Sequence, residues 1–251
     1  MAAEKTKKKD RIDVVLHERG FVESRNAAKS LLMSGSVFVD GQKIDKAGKI
    51  ISLDSEITIK DARPKYAGRG GLKLEKALIE FHVDVRDKVC LDIGSSTGGF
   101  TDCLLQHGAL RVHAIDVGYG QLDWKLRNDP RVILKERLNA RYLKQEDIGE
   151  PVDLITIDVS FISITKVIEP ALSILKSGGA LIGLIKPQFE VGKGEVGKGG
   201  IVRDKEKHRA VVNKVENYLK DMGLQDIKTI DSPILGAEGN KEFLVYATKP
   251  E

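Results

Sequence analysis

The sequence contains few of the residues from which disulfide frameworks and metal sites are built. Among 251 residues there are two cysteines, Cys90 and Cys103, and five histidines that are scattered along the chain. This set provides neither a disulfide framework nor the ligand spacing of a zinc site. We therefore expect two reduced cysteines in the core and no metal ion.

Long hydrophobic runs are also absent. No apolar stretch approaches the length that spans a bilayer, and the lysine-rich residues 1–10 lack the apolar segment of a signal peptide. We expect no membrane association and a cytoplasmic location. The net charge of +4 is too small to indicate nucleic acid by itself, so the placement of the basic residues has to be considered.

The most informative stretch is residues 89–102, where an apolar run leads into a loop of small residues and then into a helical pattern. This order predicts a strand, a glycine turn and a helix, with free N–H groups at the carboxyl edge of a parallel sheet. The spacing Gly94-x-x-x-Gly98-Gly99 departs from the dinucleotide fingerprint. A second apolar run ends at Asp116, where such folds place a carboxylate for ribose hydroxyls. Together they predict a nucleoside-containing cofactor. The loop resembles that of Rossmann-like methyltransferases, which implies S-adenosylmethionine; a dinucleotide is the alternative.

Strand and helix patterns alternate from Val89 onward, as a doubly wound parallel sheet requires. Two of the apolar runs end in a charged residue, Asp158 after residues 152–157 and Lys186 after residues 180–185. A charge beside a cofactor loop costs free energy unless it has a partner, so we interpret this pair as functional. The alternative is a salt bridge between two solvated strand ends.

The last third of the chain predicts elements that complete this sheet. The glycine-rich residues 187–201 predict a mobile loop over the carboxyl edge. Asp204 is placed to cap a helix that runs to Met222. Apolar runs at residues 227–230 and 242–247 predict a closing antiparallel pair of strands.

The N-terminal part predicts a small α+β module. Apolar residues at helical spacing follow Arg11 and again follow Ser24, which predicts two short helices. Asp40-Gly41 between two apolar runs predicts a hairpin, and residues 57–59 add a strand. We place a disordered basic tail at 1–9, this module at 10–60, a linker around Pro64 at 61–68, and the larger domain at 69–251.

The small module resembles the RNA-binding domain first described in ribosomal protein S-four. The resemblance rests on Arg11-Ile12-Asp13, on Ser24-Arg25-x-x-Ala28 and on Gly35-x-Val37-x-Val39-Asp40-Gly41, whereas the usual Gly-Asp before the last strand is replaced here by Asp54-Ser55. It implies that the following basic side chains face structured RNA: Arg11, Arg19, Arg25, Lys29 and Lys43. The alternative is an interaction domain whose basic residues only keep it soluble.

Nearly the whole chain resembles the TlyA family of ribosomal RNA 2′-O-methyltransferases, which have an FtsJ-like catalytic domain and often carry the label hemolysin. The resemblance rests on Lys73 in Arg-Gly-Gly-x-Lys-Leu, Asp158 in Asp-Val-Ser-Phe-Ile-Ser, Lys186 in Lys-Pro-Gln-Phe-Glu and Glu242 in Gly-Asn-Lys-Glu-Phe-Leu. It implies an α/β Rossmann-like methyltransferase with a mostly parallel, doubly wound sheet, preceded by the small α+β domain. It also implies S-adenosylmethionine as cofactor, ribosomal RNA in ribosomal subunits as partner, and cytidine ribose as acceptor.

The resemblance implies roles for these four residues. Lys186 would accept the proton of the ribose hydroxyl, Lys73 would provide a neighbouring cation, Asp158 would orient Lys186, and Glu242 would pair with Lys73. A lysine acts as a base only after losing its own proton; a nearby cation and burial favour that form, whereas carboxylates oppose it. The expected cofactor-binding residues are Asp92, Gly94, Ser95, Ser96, Thr97, Gly98, Gly99, Phe100, Asp116, Leu138 and Asn139.

Three other functions compete with this interpretation. A membrane-damaging hemolysin is suggested only by the family label and has no supporting helix or signal in the sequence. An RNA-binding assembly factor with an inactive catalytic domain would conflict with the complete set of four charged residues. A dinucleotide oxidoreductase would bind NAD in place of S-adenosylmethionine.

Overall fold

The computed structural model describes residues 8–33, 35–59, 64–192, 194–236 and 239–251. Residues 1–7 of the predicted tail, residue 60 at the end of the predicted module and residues 61–63 of the predicted linker lie outside the described residues. The chain divides into two compact units, Met1–Pro64 and Lys65–Glu251.

The smaller unit combines two helices with short strands. Its elements are β1 (Lys9–Arg11), α1 (Ile12–Glu18), α2 (Arg25–Met33), β2 (Val37–Val39), β3 (Gln42–Lys43), β4 (Ile50–Ser52) and β5 (Ile57–Ile59). Strand β2 lies between β3 and β5 and is antiparallel to both. The apolar faces of both helices pack with β2 in one core that includes Leu16, Leu32 and Val37. The helices are too short to be stable alone and depend on this packing.

The predicted helix pair and hairpin are present, and the turn follows from its residues. Asp40 and Gly41 have φ values of 49° and 79°, as expected for a two-residue turn of the Asp-Gly type. The small sheet of β1 and β4 was not predicted, and it places Lys9 in a strand where the sequence suggested a disordered tail. Since Lys9 and Arg11 are both exposed, no hydrophobic alternation marks this strand.

The larger unit contains a seven-stranded sheet with helices on both faces. Its elements are α3 (Gly70–Glu80), β6 (Val89–Ile93), α4 (Gly99–Gln106), β7 (Arg111–Asp116), α5 (Trp124–Arg127), β8 (Val132–Glu136), α6 (Gln145–Ile148), β9 (Val152–Ile157), α7 (Thr165–Leu172), β10 (Leu175–Ile185), α8 (Pro187–Glu190), α9 (Lys205–Asp221), β11 (Gln225–Asp231) and β12 (Phe243–Thr248), with 3₁₀ turns at Ala140–Tyr142 and Lys198–Gly200.

The strand order is β11-β12-β10-β9-β6-β7-β8. Strands β6 to β10 pair in parallel, and β12 is antiparallel to both β10 and β11. The predicted doubly wound, mostly parallel sheet with a closing antiparallel pair is therefore confirmed. Because the central strands of this sheet are covered on both faces, strands such as β6 and β9 appear in the sequence as continuous apolar runs without alternation.

Two apolar cores lie on opposite faces of this sheet, since neighbouring residues of one strand belong to different cores. Leu91 packs with residues of α7 and α9, whereas Cys90 packs with residues of α3 and α4. Tyr66, within the predicted linker, is 2% exposed and belongs to the second core. Burial of its large ring fixes this part of the connection to the larger unit.

A loop was predicted over residues 187–201, but the structure has a helix at the start of this range. Pro187 begins the short helix α8, since proline is well suited to the first helical position. Asp204 caps α9 as expected, with its side chain accepting a hydrogen bond from the backbone N–H of Glu206. Both results follow from ordinary helix-start chemistry.

Candidate active site

The topology brings four charged side chains to the carboxyl edge of the sheet. Asp158 follows β9 and Lys186 follows β10, two neighbouring parallel strands. Glu242 comes directly before β12, and because β12 is antiparallel to β10, its start lies at the same edge. Lys73 lies in the first turns of α3. Lys73 and Glu242, which are 169 positions apart in the chain, therefore meet at this edge.

The four side chains form two ion pairs. Lys73 Nζ lies 2.5 Å from Glu242 Oε2, and the two side chains are 10% and 2% exposed. Lys186 Nζ lies 2.7 Å from Asp158 Oδ1 and donates a hydrogen bond of 2.8 Å to Ser160 Oγ. Each lysine thus has a carboxylate partner, and the Lys73–Glu242 pair is the more deeply buried of the two.

A cavity of about 270 Å³ lies over these pairs. Lys73, Asp158 and Lys186 line the cavity, whereas Glu242 does not line it and contacts Lys73. The backbone of Gly236 approaches Glu242 so closely that a Cβ atom at this position would overlap the carboxylate. The cavity lining is Gly68, Arg69, Gly70, Lys73, Gly94, Ser95, Ser96, Thr97, Gly99, Phe100, Asp158, Ser160, Lys186, Ile234, Leu235 and Gly236.

A second cavity of about 480 Å³ adjoins the first, because both are lined by Gly94, Ser96, Asp158 and Ser160. Its lining also includes three predicted cofactor residues, Asp116, Leu138 and Asn139. One elongated ligand with a polar end and a nucleoside end fits two adjoining cavities of this kind.

The loop after β6 has the features expected of a cofactor site. Gly94 has φ of 85°, and a Cβ atom there would lie 2.5 Å from the carbonyl oxygen of Asp158. Ser95 Oγ is buried at the first cavity and has no hydrogen-bond partner among the described residues. Asp116 accepts hydrogen bonds from the backbone N–H groups of Ser96 and Gly118, which fix its carboxylate at the second cavity. These features fit the methionine and ribose parts of S-adenosylmethionine.

Two of the predicted cofactor residues, Asp92 and Gly98, line neither cavity. Asp92 is fully buried below the loop, where it accepts hydrogen bonds from the hydroxyls of Thr101 and Thr156. Burial raises the pKa of this carboxyl to about 7. Gly98 has φ of 98° and faces Leu126, which leaves no room for a side chain. Both residues therefore support the conformation of the loop without lining a cavity.

Sequence reasoning assigned no role to Phe161 and Glu190, which lie in the segments that follow Asp158 and Lys186. Phe161 is 91% exposed, has φ of 65°, and lies with its ring centroid 5.2 Å from that of Phe189. Glu190 is buried and accepts hydrogen bonds from Ser163 Oγ and the backbone N–H of Ile164. An exposed aromatic with positive φ is a signal of function that only the structure reveals.

The basic residues of the smaller unit fall into two groups. Arg11 and Arg25 both form ion pairs with the buried carboxylate of Asp13, whose pKa is lowered to about 2, chiefly by its hydrogen bonds with Arg11. Arg19 donates to the carbonyl oxygens of residues 53 and 55. Lys29 and Lys43 are exposed. The arginines therefore have structural contacts of their own, whereas the two lysines are presented to solvent.

Two kinds of feature are absent from the part of the chain that the structure describes. Across these residues, no three His, Cys, Asp or Glu side chains are grouped so that they could hold a metal ion. No helix within the described ranges is both long and apolar enough to cross a bilayer. Cys90 and Cys103 are buried free thiols that line neither cavity.

The fold and this edge of the sheet define a Rossmann-like methyltransferase. A model of the FtsJ-like methyltransferase family matches residues 66–249, and a model of the S4 domain matches residues 10–57. The chain belongs to the FtsJ-like methyltransferase family and, with the relatives described next, to its TlyA group, whose methyl donor is S-adenosylmethionine.

Several relatives resemble nearly the whole chain. The 16S/23S rRNA (cytidine-2′-O)-methyltransferase TlyA of Mycobacterium tuberculosis is 42% identical over 94% of this chain and 88% of its own. Hemolysin A of Brachyspira hyodysenteriae is 44% identical over 94% of this chain and 98% of its own. A solved structure of a hemolysin-named protein from Streptococcus thermophilus has a TM-score of 0.74 and 42% identity, covering 98% of this chain and 90% of that one.

Proposed function

We propose that this protein transfers a methyl group from S-adenosylmethionine to the 2′-hydroxyl of a cytidine in ribosomal RNA. The observation that carries the proposal is the placement of the Lys186–Asp158 and Lys73–Glu242 pairs beside a cavity that fits the methionine part of the cofactor. The TlyA relatives of Mycobacterium tuberculosis and Campylobacter jejuni, named for cytidine-2′-O methylation of ribosomal RNA, support the choice of acceptor.

The reaction needs a proton acceptor because a ribose hydroxyl is a very weak acid and a poor nucleophile. When bound, S-adenosylmethionine supplies an electrophilic methyl group on a positively charged sulfur. Lys186 Nζ, at the wall of the smaller cavity, accepts the hydroxyl proton in its neutral amine form as the oxygen attacks. Asp158 and Ser160 hold the Lys186 amine in place, and Lys73, fixed by Glu242, orients the hydroxyl.

The identity of the site residues favours a hydroxyl acceptor over a base. Neither Cys90 nor Cys103 lines a cavity, so covalent attack on a pyrimidine ring has no nucleophile there. Asp158 is followed by Val159-Ser160-Phe161 and not by the prolines that are typical of amino-group methyltransferases. Phe161, exposed at the second cavity with its ring against that of Phe189, offers a ring on which the base of the acceptor nucleotide stacks.

The smaller unit supports RNA as the partner. Its S4 domain match and its exposed Lys29 and Lys43 suit contact with phosphates of structured RNA, with Arg11, Arg19 and Arg25 contributing from the same unit. We place the activity in the cytoplasm, on ribosomal subunits or their RNA.

The test measures transfer of labelled methyl from S-adenosylmethionine to isolated ribosomal subunits and to naked ribosomal RNA. Incorporation into ribose should fall by about 10²- to 10⁴-fold in Lys186→Ala, the range for loss of a positioned base, with cofactor affinity nearly unchanged. Lys166→Ala, an exposed lysine of α7, serves as the matched control. Retained turnover in Lys186→Ala would overturn the assignment of the base. Binding of RNA and cofactor by the unaltered chain without any transfer would favour a non-catalytic RNA-binding factor.

A further inference from the structure

A surface next to the cofactor cavity carries exposed aromatic residues that the proposed reaction does not use. Tyr119 and Trp124 lie in and directly after the loop that follows β7, and they are 68% and 74% exposed. Neither lines either of the two cavities. A single exposed apolar residue is ordinary, whereas two large aromatic residues in one short segment beside a cavity indicate an interaction surface.

A cation is stacked on this surface. The guanidinium carbon of Arg137 lies 4.6 Å from the ring centroid of Tyr119, and Arg137 is itself exposed and lines neither cavity. A tyrosine covered on one face by a guanidinium presents its other face to a planar group, and the positive charge favours a ligand with phosphates. Lys125, also exposed, adds a second positive charge beside Trp124.

The surface is formed by the loops that follow β7 and β8, and hydrogen bonds hold both loops in place. Arg137 has φ of 59°, and its N–H donates to the carbonyl of Gly118. Gly120 N–H donates to Glu136 Oε1, and Glu136 in turn accepts two hydrogen bonds from Arg127. Tyr119 thus lies between two anchored glycines. A preformed platform loses little conformational entropy on binding.

We propose that Tyr119, Trp124 and Arg137 form a platform on which unpaired nucleotides of the RNA substrate stack, outside the catalytic cavity. This inference rests on the proposed function for the identity of the RNA. Exposed aromatic rings combined with cations bind single-stranded nucleic acid through base stacking and phosphate contacts. The platform lies at the carboxyl edge of β7 and β8, the edge that also carries the active site, so one RNA chain can contact both.

The test compares RNA and cofactor affinity in the full-length chain. Tyr119→Ala and Trp124→Ala should each raise the Kd for ribosomal RNA by about five- to tenfold or more, whereas Tyr119→Phe, which keeps the ring, should stay near the parent value. Arg137→Gln should also lower the salt dependence of binding by about one unit of slope. Leu110→Ala is the matched control, because Leu110 is 54% exposed at the opposite, amino end of β7.

A second readout comes from Trp124, the single tryptophan of the chain. A short oligocytidine should quench its emission, and duplex RNA should quench it less. An unchanged RNA Kd in Tyr119→Ala and Trp124→Ala would overturn the proposal and leave a protein partner as the use of this surface. An equal rise in the Kd for S-adenosylmethionine would overturn it in favour of a cofactor role. The unaltered chain could also bind RNA without transferring a methyl group. If Tyr119→Ala and Trp124→Ala then lose RNA binding, the platform is supported and the proposed reaction is refuted.

Discussion

Lys73 Nζ and Glu242 Oε2, which lie 2.5 Å apart, join the first helix of the larger unit to the start of its last strand. Both side chains are almost completely buried. A buried charge is tolerated only when a partner of opposite sign accompanies it, so each residue depends on the other. The same contact that orients Lys73 at the cavity therefore also holds α3 against the start of β12.

Glu242→Ala should destabilise the larger unit because it leaves the Lys73 ammonium buried without its carboxylate. Breaking one side of a buried ion pair costs about 3–5 kcal/mol. Calorimetric unfolding of the full chain, followed through the transition of the larger unit, measures the change. Glu206→Ala is the control, since the Glu206–Arg209 pair is exposed and pairs of that kind contribute less than about 1 kcal/mol. Equal effects of the two substitutions would contradict the buried pairing.

The sheet was predictable from the sequence because its central strands are buried on both faces. Continuous apolar runs such as Val152–Ile157 mark central parallel strands, and the charged residues that end them mark the carboxyl edge. For the same reason the sequence predicts that Asp158 and Lys186 act as a pair, and the structure places Lys186 Nζ 2.7 Å from Asp158 Oδ1. Strand β1 escaped prediction because exposed Lys9 and Arg11 carry no such pattern.

The parts of the site that sequence could not supply depend on tertiary geometry. Asp92 belongs to the glycine-loop motif by position, yet its side chain points below the loop to Thr101 and Thr156. Gly236 and Tyr119 lie in loops without a motif. Only the folded structure shows that Gly236 lies against Glu242 and that Tyr119 lies under Arg137. Local sequence patterns predict the helices, the strands and the carboxyl edge of the sheet. Contacts between loops can be identified only in the folded structure.

Asp116→Ala should weaken binding of S-adenosylmethionine. Its carboxylate is fixed by the N–H groups of Ser96 and Gly118 and lines the cavity assigned to the nucleoside, so its loss removes hydrogen bonds to the ribose. Hydrogen bonds to charged groups contribute about 1.5–3 kcal/mol, which corresponds to a roughly ten- to hundredfold rise in Kd. Titration calorimetry measures the affinity. Asp129→Ala, whose carboxylate pairs with Arg131 outside both cavities, should bind the cofactor as the parent chain does.

Asp92 should make the stability of the larger unit depend on pH. Its folded pKa of about 7 lies above the ordinary value of 3.8, so the folded state holds the proton more tightly than the unfolded state. The contribution of this group to the free energy of unfolding is therefore fully present below about pH 4 and is lost progressively as the pH rises to about 7. At about 1.4 kcal/mol per pKa unit, the loss is on the order of 4 kcal/mol.

Comparison with Asp92→Asn isolates this effect, since the amide does not titrate. Thermal unfolding of both proteins between pH 4 and 8 should show the parent losing stability relative to the variant as the pH rises. A constant difference across the range would show that Asp92 does not ionise there. Above about pH 7 the difference should level off, because Asp92 is then ionised in both the folded and the unfolded state.

The two groups of basic residues in the smaller unit should respond differently to substitution. Lys29→Ala and Lys43→Ala remove exposed charges, so they should weaken RNA binding and reduce its salt slope by about one unit each, with thermal stability nearly unchanged. Arg25→Ala removes one of the two arginines that pair with buried Asp13, so it should lower the stability of this unit as well. Binding of ribosomal RNA at several salt concentrations, together with thermal unfolding, separates the two effects. Loss of stability without any loss of RNA affinity in Arg25→Ala would assign Arg25 to the fold alone. Unchanged RNA affinity in both lysine variants would mean that Lys29 and Lys43 do not contact RNA.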